Sequence, residues 1–251
     1  MYIKEIELEN YRNIAYAKIE PDEELNVFFG DNGQGKTNLL EGISLFAFGK
    51  SFRGVKDSEL IRIGSGNGAR LRMTVEGKSG GRKLEIKYSP EGRRSCRKNG
   101  IGVRSLAEFI GNFRAVLFAV PQLGLVRDAP AVRRAFLDVA ISQLKPVYLA
   151  ALVRYRRLLM QRNRLLRQLH DSGDAKDSHI RGSLYDTLDL WTLQFAADSA
   201  YISSVRYNYL KSLLPCAANV VRDMSGGGET LGLSLPEPPD RDALMQSFRS
   251  L

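Results

Sequence analysis

Polar and apolar residues alternate at Lys4–Leu8, whereas LNVFF at Leu25–Phe29 is apolar apart from Asn26. Alternation marks a strand with one wet face, and a near-continuous apolar run marks a strand buried on both faces. Further along, RLRMTVEG puts Leu71, Met73 and Val75 on one face, and KLEIKY does the same with Leu84, Ile86 and Tyr88. The GKSGG between them reads as a turn and Asn99–Gly100 as a hairpin, so a small antiparallel meander is expected. FRAVLFAV (Phe113–Val120) reads as another buried strand. One helix interrupts this region, with Leu39, Leu40, Ile43, Phe46 and Ala47 at helical spacing.

After Pro130 the periodicity changes. Tyr148, Leu152, Tyr155, Leu159, Arg162, Leu166 and Leu169 follow a 4-3 spacing. Leu184, Leu188, Trp191, Phe195, Asp198, Ile202, Val205 and Tyr209 repeat it. The polar stretch HDSGDAKDSHIRG separates them, which predicts an antiparallel helical hairpin. Arg162 and Asp198 interrupt the stripes. Either they fix the register or they lie at the edge of the seam, and the edge is the preferred reading. The expected division is 1–124, strands around one early helix, and 125–251, mostly helical.

Composition narrows the function classes. Of 251 residues, 43% are apolar, enough for a packed core and against a disordered chain. Lys and Arg outnumber Asp and Glu 37 to 28, and the net charge of +9 suits a polyanionic partner such as nucleic acid. Cys96 and Cys216 are far apart and in no metal-ligand spacing, so a reducing compartment is the simpler expectation. His170 and His179 lie in the polar loop, away from any ligand cluster. The charged start, MYIKEIELEN, is unlike a secretory signal, and no apolar run reaches the ~18 residues of a membrane span. A cytoplasmic location without membrane contact is expected.

The chemistry concentrates at Gly30–Thr37. Gly30, four residues, then Gly35, Lys36 and Thr37 match the phosphate-binding pattern G-x-x-x-x-G-K-[ST]. Glycine takes the positive φ angles of a tight loop and keeps side chains off the ligand. The loop amides of Gly30, Asp31, Asn32, Gly33, Gln34 and Gly35 then form a concave anion site. A helix starting near Lys36 adds its unpaired N–H groups and positive dipole end. Lys36 supplies a point charge for the outer phosphates, and the Thr37 hydroxyl is placed to ligate the Mg2+ that travels with ATP.

That loop is shared by many families. Its neighbours, ENYRNI (Glu9–Ile14), GDNGQGKTNLLEGI (Gly30–Ile43) and GKSFRG (Gly49–Gly54), resemble the RecF family of DNA recombination and repair proteins. DAPAVRRAFLD (Asp128–Asp138) and YRRLLMQRNRLLR (Tyr155–Arg167) extend the resemblance in the same order. The resemblance implies an α/β P-loop head of the type shared with SMC and Rad50 proteins, with the meander beside it and a helical lever attached. It implies ATP and Mg2+ as cofactors and an ATP-dependent homodimer on gapped DNA or single-strand/double-strand junctions, with weak hydrolysis. It also implies RecO and RecR as partners and assistance in loading RecA. Carried over by position, Arg12 and Asn13 fall where such heads bring a basic residue near the phosphates, and Asn38 matches the polar residue after the Thr. AVPQL (Ala119–Leu123) departs from the family pattern. Gln122 is either the loop glutamine that senses magnesium and the γ-phosphate or a plain loop residue.

Two elements of such a head are missing from the sequence. No apolar strand ends in Asp followed by an acid. AFLDV (Ala135–Val139) reads as helix instead. MSGGGE (Met224–Glu229) is followed by Gly232, Pro236, Pro238 and Pro239, so it reads as a turn between two strands rather than a signature loop opening a helix. The expectation is a truncated piece that binds ATP weakly and does not turn it over. Arg154, Arg156, Arg157, Arg162, Arg164 and Arg167 crowd one predicted helix. With Arg133 and Arg134, they are candidates for DNA phosphate, the shortest set being Arg133, Arg134, Arg154, Arg157 and Arg164. A solvated face or a protein-binding surface is the alternative. The rival functions are a P-loop kinase or GTPase acting on a small substrate, and a non-hydrolysing DNA-binding adaptor.

Overall fold

The computed structural model describes residues 1–77, 80–119, 124–171 and 178–249, and it divides into two compact units, Met1–Pro146 and Val147–Leu251. The expected boundary at 124 lies earlier than this division, because a helix at Pro130–Leu144 belongs to the first unit.

The first unit is built on one antiparallel sheet. Its strands are β1 (Tyr2–Tyr11), β2 (Ile14–Ile19), β3 (Ala69–Glu76), β4 (Arg82–Tyr88), β5 (Arg94–Lys98) and β6 (Ile101–Gly102), in the order β2-β1-β3-β4-β5-β6. The alternation read from the sequence sets the register. Ile6 pairs with Met73, Leu8 with Leu71, Leu71 with Ile86 and Met73 with Leu84, and all are buried on one face. The opposite face carries cross-strand ion pairs, Glu7 with Arg72 and Arg70 with Glu85. Asn99 and Gly100, at φ 49° and 82°, make the two-residue turn between β5 and β6, as the dipeptide predicts. The β3–β4 turn falls partly on Lys78 and Ser79, which lie outside the described residues.

Helix α1 (Lys36–Phe48) packs on the apolar face of the sheet against β1. Its buried residues are Leu39, Glu41, Gly42, Ser44, Leu45, Phe46 and Ala47, while Leu40 is exposed. The buried face is therefore rotated from the expected stripe and includes an acid. Two short helices, α2 (Leu106–Phe109) and α3 (Gly124–Arg127), precede α4 (Pro130–Leu144), which starts on its proline as a fixed φ allows. AFLDV is helical within α4, as expected. Phe46 and Phe109 meet at 6.2 Å between ring centroids.

Two expected strands are absent. Residues 25–29 are irregular, with Leu25, Val27 and Phe29 at 77%, 72% and 90% exposure. Residues 114–119 are likewise irregular, and Val116 and Phe118 are exposed. A strand exists only by pairing with a neighbour, and among the described residues no strand pairs with either run. Their apolar composition asks for burial, but no ladder among the described residues satisfies it.

In the second unit, α5 (Pro146–Asp171) and α6 (Ser178–Met224) carry the two periodic stripes, and α7 (Arg241–Arg249) packs on α6. The buried positions of α5 are Tyr148, Ala151, Leu152, Leu158, Arg162, Leu165 and Leu169, so Leu158 and Leu165 replace the expected Leu159 and Leu166. Tyr155 stacks on Phe195 at 4.8 Å, and Phe195 meets Phe248 of α7 at 5.0 Å. Arg162 and Asp198 are 7% and 6% exposed, so they lie inside the seam rather than at its edge. Asp198 takes a bidentate pair from Arg154 at 3.1 and 2.6 Å. Arg162 donates to Thr192 Oγ1 and to the Phe248 carbonyl, the latter at 2.7 Å. MSGGGE closes the end of α6, with Gly227 N–H bonded to the Arg222 carbonyl at 2.8 Å. It is a turn, but a helix rather than a strand enters it and an irregular stretch leaves it.

Candidate nucleotide-binding loop

The loop begins where the exposed apolar run ends. Gly30, Gly33 and Gly35 have φ of 137°, 83° and 102°, values that side-chain-bearing residues rarely adopt. Gly35 serves as the N-cap of α1 without a capping side chain, and the first turn of α1 contains no acid. The first-turn amides and the positive dipole end therefore face the loop without a competing carboxylate. Lys36 folds back over the loop, its Nζ donating to the Gly30 carbonyl at 2.6 Å and the Asp31 carbonyl at 2.7 Å. Those contacts hold the ammonium against the loop's own carbonyls. Asp31, Asn32, Gln34 and Thr37 are exposed on the same rim. A cavity of about 550 Å³ adjoins the loop, lined by Asn13, Ile14, Tyr16, Val27, Lys36 and Leu39 among others.

The other half of the site comes from the β1–β2 connection. Tyr11 pairs with Ile14, leaving Arg12 and Asn13 as a two-residue turn. Asn10 and Arg12 hold φ of 51° and 54°, strained values for side-chain-bearing residues that concentrate at functional positions. The turn aims its two side chains differently. Asn13 Nδ2 donates to the Gly33 carbonyl at 2.8 Å, and Asn13 Oδ1 accepts from Asn38 Nδ2 at 2.7 Å. Arg12 turns instead to Glu41, donating from Nε and Nη2 at 2.9 and 2.8 Å, with Nη1 on the Glu59 carbonyl at 3.0 Å.

Glu41 is the one acid buried in α1, with its side chain fully shielded from water. Burial alone would raise its pKa, but the bonds from Arg12 and Ser51 and the charges of Arg12 and Arg53 outweigh it, leaving the carboxyl below its ordinary range. Arg12 is raised by the same hydrogen bond. Ser51 Oγ donates to Glu41 and accepts from the Arg53 N–H at 3.0 Å, and Arg53 Nη1 donates to Asn38 Oδ1 at 3.1 Å. The buried Tyr11 hydroxyl lies near Glu41, and burial together with that charge pushes its pKa up. Sequence reasoning misses Glu41, Ser51 and Arg53. The signal for Glu41 is a single charge inside LLEGISLF.

Gln122 lies outside the described residues, as do the side chains around His179. Of the arginines singled out for DNA, Arg133 caps the carbonyls of Leu125 and Asp128 at 3.2 and 3.0 Å, and Arg154 is committed to Asp198. Arg134 is exposed on α4, and Arg157 and Arg164 are exposed on α5. Arg162 is buried. Cys96 is half-buried and Cys216 exposed, both as free thiols. Among the described residues no cluster of three metal-binding side chains occurs.

A model described as an AAA ATPase domain matches residues 1–110. The DNA replication and repair protein RecF of Bacillus mycoides is 36% identical over 231 residues, covering 92% of this chain and 59% of its own length. RecF of Acetivibrio thermocellus is 32% identical, covering 92% of this chain and 60% of its own. Over 92% of its length the sequence is similar to RecF. A solved structure of the recombination mediator protein RecF with ATP superposes with a TM-score of 0.86 at 30% identity, covering 99% of this chain and 66% of that one. The Smc head domain of Pyrococcus furiosus shares the fold at a TM-score of 0.52 and 17% identity. The RecF-like chain thus spans about 60% of the length of the curated relatives it matches. Among the described residues, no helix is long and apolar enough to cross a membrane.

Proposed function

We propose that this chain is the nucleotide-binding part of an ATP-gated DNA-binding protein of recombinational repair. The carrying observation is the loop itself: three left-handed glycines, an uncapped helix start without acids, and Lys36 bent over both. ATP binds with its outer phosphates on the amides of residues 30–37 and displaces Lys36 from the Gly30 and Asp31 carbonyls onto phosphate oxygen. Thr37, exposed at the first turn of α1, is the protein ligand for Mg2+, and the nucleotide's own oxygens supply the rest of the shell, as this cation prefers. The RecF structure with ATP supports the ligand's identity.

ATP acts as a clamp between two copies on gapped or junction DNA, and RecO and RecR are the protein partners through which RecA loading is assisted. DNA phosphate is contacted by Arg134, Arg157 and Arg164, because Arg133, Arg154 and Arg162 are engaged within the protein.

The deciding experiment is light scattering on purified protein with and without ATP-Mg2+, in the presence of gapped DNA. A mass that doubles only with ATP, and not in Lys36→Ala, is expected. A mass indifferent to ATP favours the adaptor, and ATP binding by a persistent monomer favours the kinase.

A further inference from the structure

We propose that Asn13 is a positioning residue for the phosphate loop, a bracket that sets the loop's shape before nucleotide arrives. The proposal rests on reading residues 30–37 as the ATP site. It assigns Asn13 a role behind the loop rather than a contact with the ligand.

Three features converge. First, the Asn13 amide donates to the Gly33 carbonyl at 2.8 Å and accepts from Asn38 at 2.7 Å, joining the middle of the loop to the first turn of α1. Second, a Cβ at Gly35 would meet Asn13 Oδ1 at 3.0 Å and Nδ2 at 3.4 Å, tighter than an ordinary contact, so Asn13 packs closely against the loop at a glycine whose φ of 102° side chains rarely adopt. Third, the bracket is itself braced. Asn38 accepts from Arg53, Arg53 N–H bonds to Ser51, Ser51 bonds to Glu41, and Glu41 holds Arg12, the neighbour of Asn13. The hydrogen bonds therefore run in a ring from the turn through α1 and back to it.

The consequence for anion binding follows from peptide geometry. In a trans peptide the carbonyl and the next N–H point in opposite directions, and this chain has no cis bonds among its described residues. Tying the Gly33 carbonyl to Asn13 therefore turns the Gln34 N–H away from the turn. A glycine-rich loop has much backbone freedom to lose, and fixing its peptide planes in advance lowers the ordering cost of binding. The job needs a donor for Gly33 and an acceptor for Asn38 on one short arm, which the asparagine amide provides and aspartate does not.

The test uses Asn13→Ala, the isosteric Asn13→Asp, Asn38→Ala and the double variant Asn13→Ala/Asn38→Ala. Each is measured for ATP affinity, for hydrogen exchange at residues 33–36 without nucleotide, and for thermal midpoint. Loss of Asn13 is expected to weaken ATP by about tenfold, the worth of one hydrogen bond. It should speed exchange at residues 33–36 in the nucleotide-free protein and leave the midpoint unchanged. The double variant should bind no worse than either single variant by more than the error, since the two side chains act as one device. Unchanged loop exchange with weaker ATP would make Asn13 a ligand contact and overturn the proposal. A lowered midpoint with faster exchange throughout β1 and β2 would make it a general structural residue and overturn the proposal as well. If wild type binds no ATP, the nucleotide assignment fails, and the exchange comparison still decides the bracket.

Discussion

Replacing Arg12 with alanine should destabilise the first unit more than any single change at the loop. Glu41 is wholly shielded, and Arg12, itself 15% exposed at the side chain, gives it two charge-assisted hydrogen bonds at 2.9 and 2.8 Å. Removing one partner of a buried pair costs about 3–5 kcal/mol, because the remaining charge has lost both water and partner. Ser51 stays bonded and Arg53 stands only 4.0 Å away, so the lower end of that range applies. For a unit of this size, about 3 kcal/mol corresponds to a midpoint lowered by roughly 6–12 °C.

The pH dependence gives the sign. In wild type the Glu41 pKa is depressed, so its stabilising contribution is complete above the ordinary carboxylate range and is lost as pH falls through the folded value. In Arg12→Ala burial dominates and raises that pKa, so acidification relieves the variant. Calorimetry between pH 8 and pH 5 should show the gap between the two proteins narrowing as pH falls. Arg12→Ala combined with Glu41→Leu should recover much of the loss, since two apolar groups replace the pair. A cost below about 1 kcal/mol that does not change with pH would refute this account of Glu41.

Other outcomes can be checked more briefly. Burial pushes the Cys96 thiol up to about 11, whereas Cys216 is exposed, so at pH 8 a thiol reagent should label Cys216 rapidly and Cys96 only on unfolding. Phe248→Ala removes the ring that meets Phe195 at 5.0 Å and the Arg162 guanidinium at 5.5 Å, which should loosen α7 and open residues 229–240 to limited proteolysis. Reversing Arg134, Arg157 and Arg164 to glutamate should weaken DNA binding and flatten its logarithmic salt dependence by about 2–3 units, as expected for three phosphate contacts. Unchanged slope would remove those residues from the interface.

The meander and the phosphate loop are legible in the sequence for different reasons. In β3 and β4 every second residue is apolar, and pairing follows from that alternation alone. The loop is a spacing of glycines with a lysine, and its chemistry is local. The helical hairpin is visible in its period, but the seam drifts by one residue to Leu158 and Leu165. A 3.6-residue helix does not hold a strict heptad face. Residues 25–29 and 114–119 mislead because an apolar run specifies burial without specifying who provides it. The Arg12–Asn13 turn is out of reach for another reason. Its left-handed backbone sends adjacent side chains to Glu41 and to Gly33, and nothing in the letters YRNI encodes that divergence.

The central claim is that the amides around Lys36 receive a triphosphate. Titrating ATP-Mg2+ into isotopically labelled protein and following the backbone amides tests it directly. The account expects the resonances of Gly33, Gly35, Lys36 and Thr37 to move together, saturably, and not in Lys36→Ala. Amides that stay still while ATP binds elsewhere, or a titration indifferent to Lys36, would contradict it.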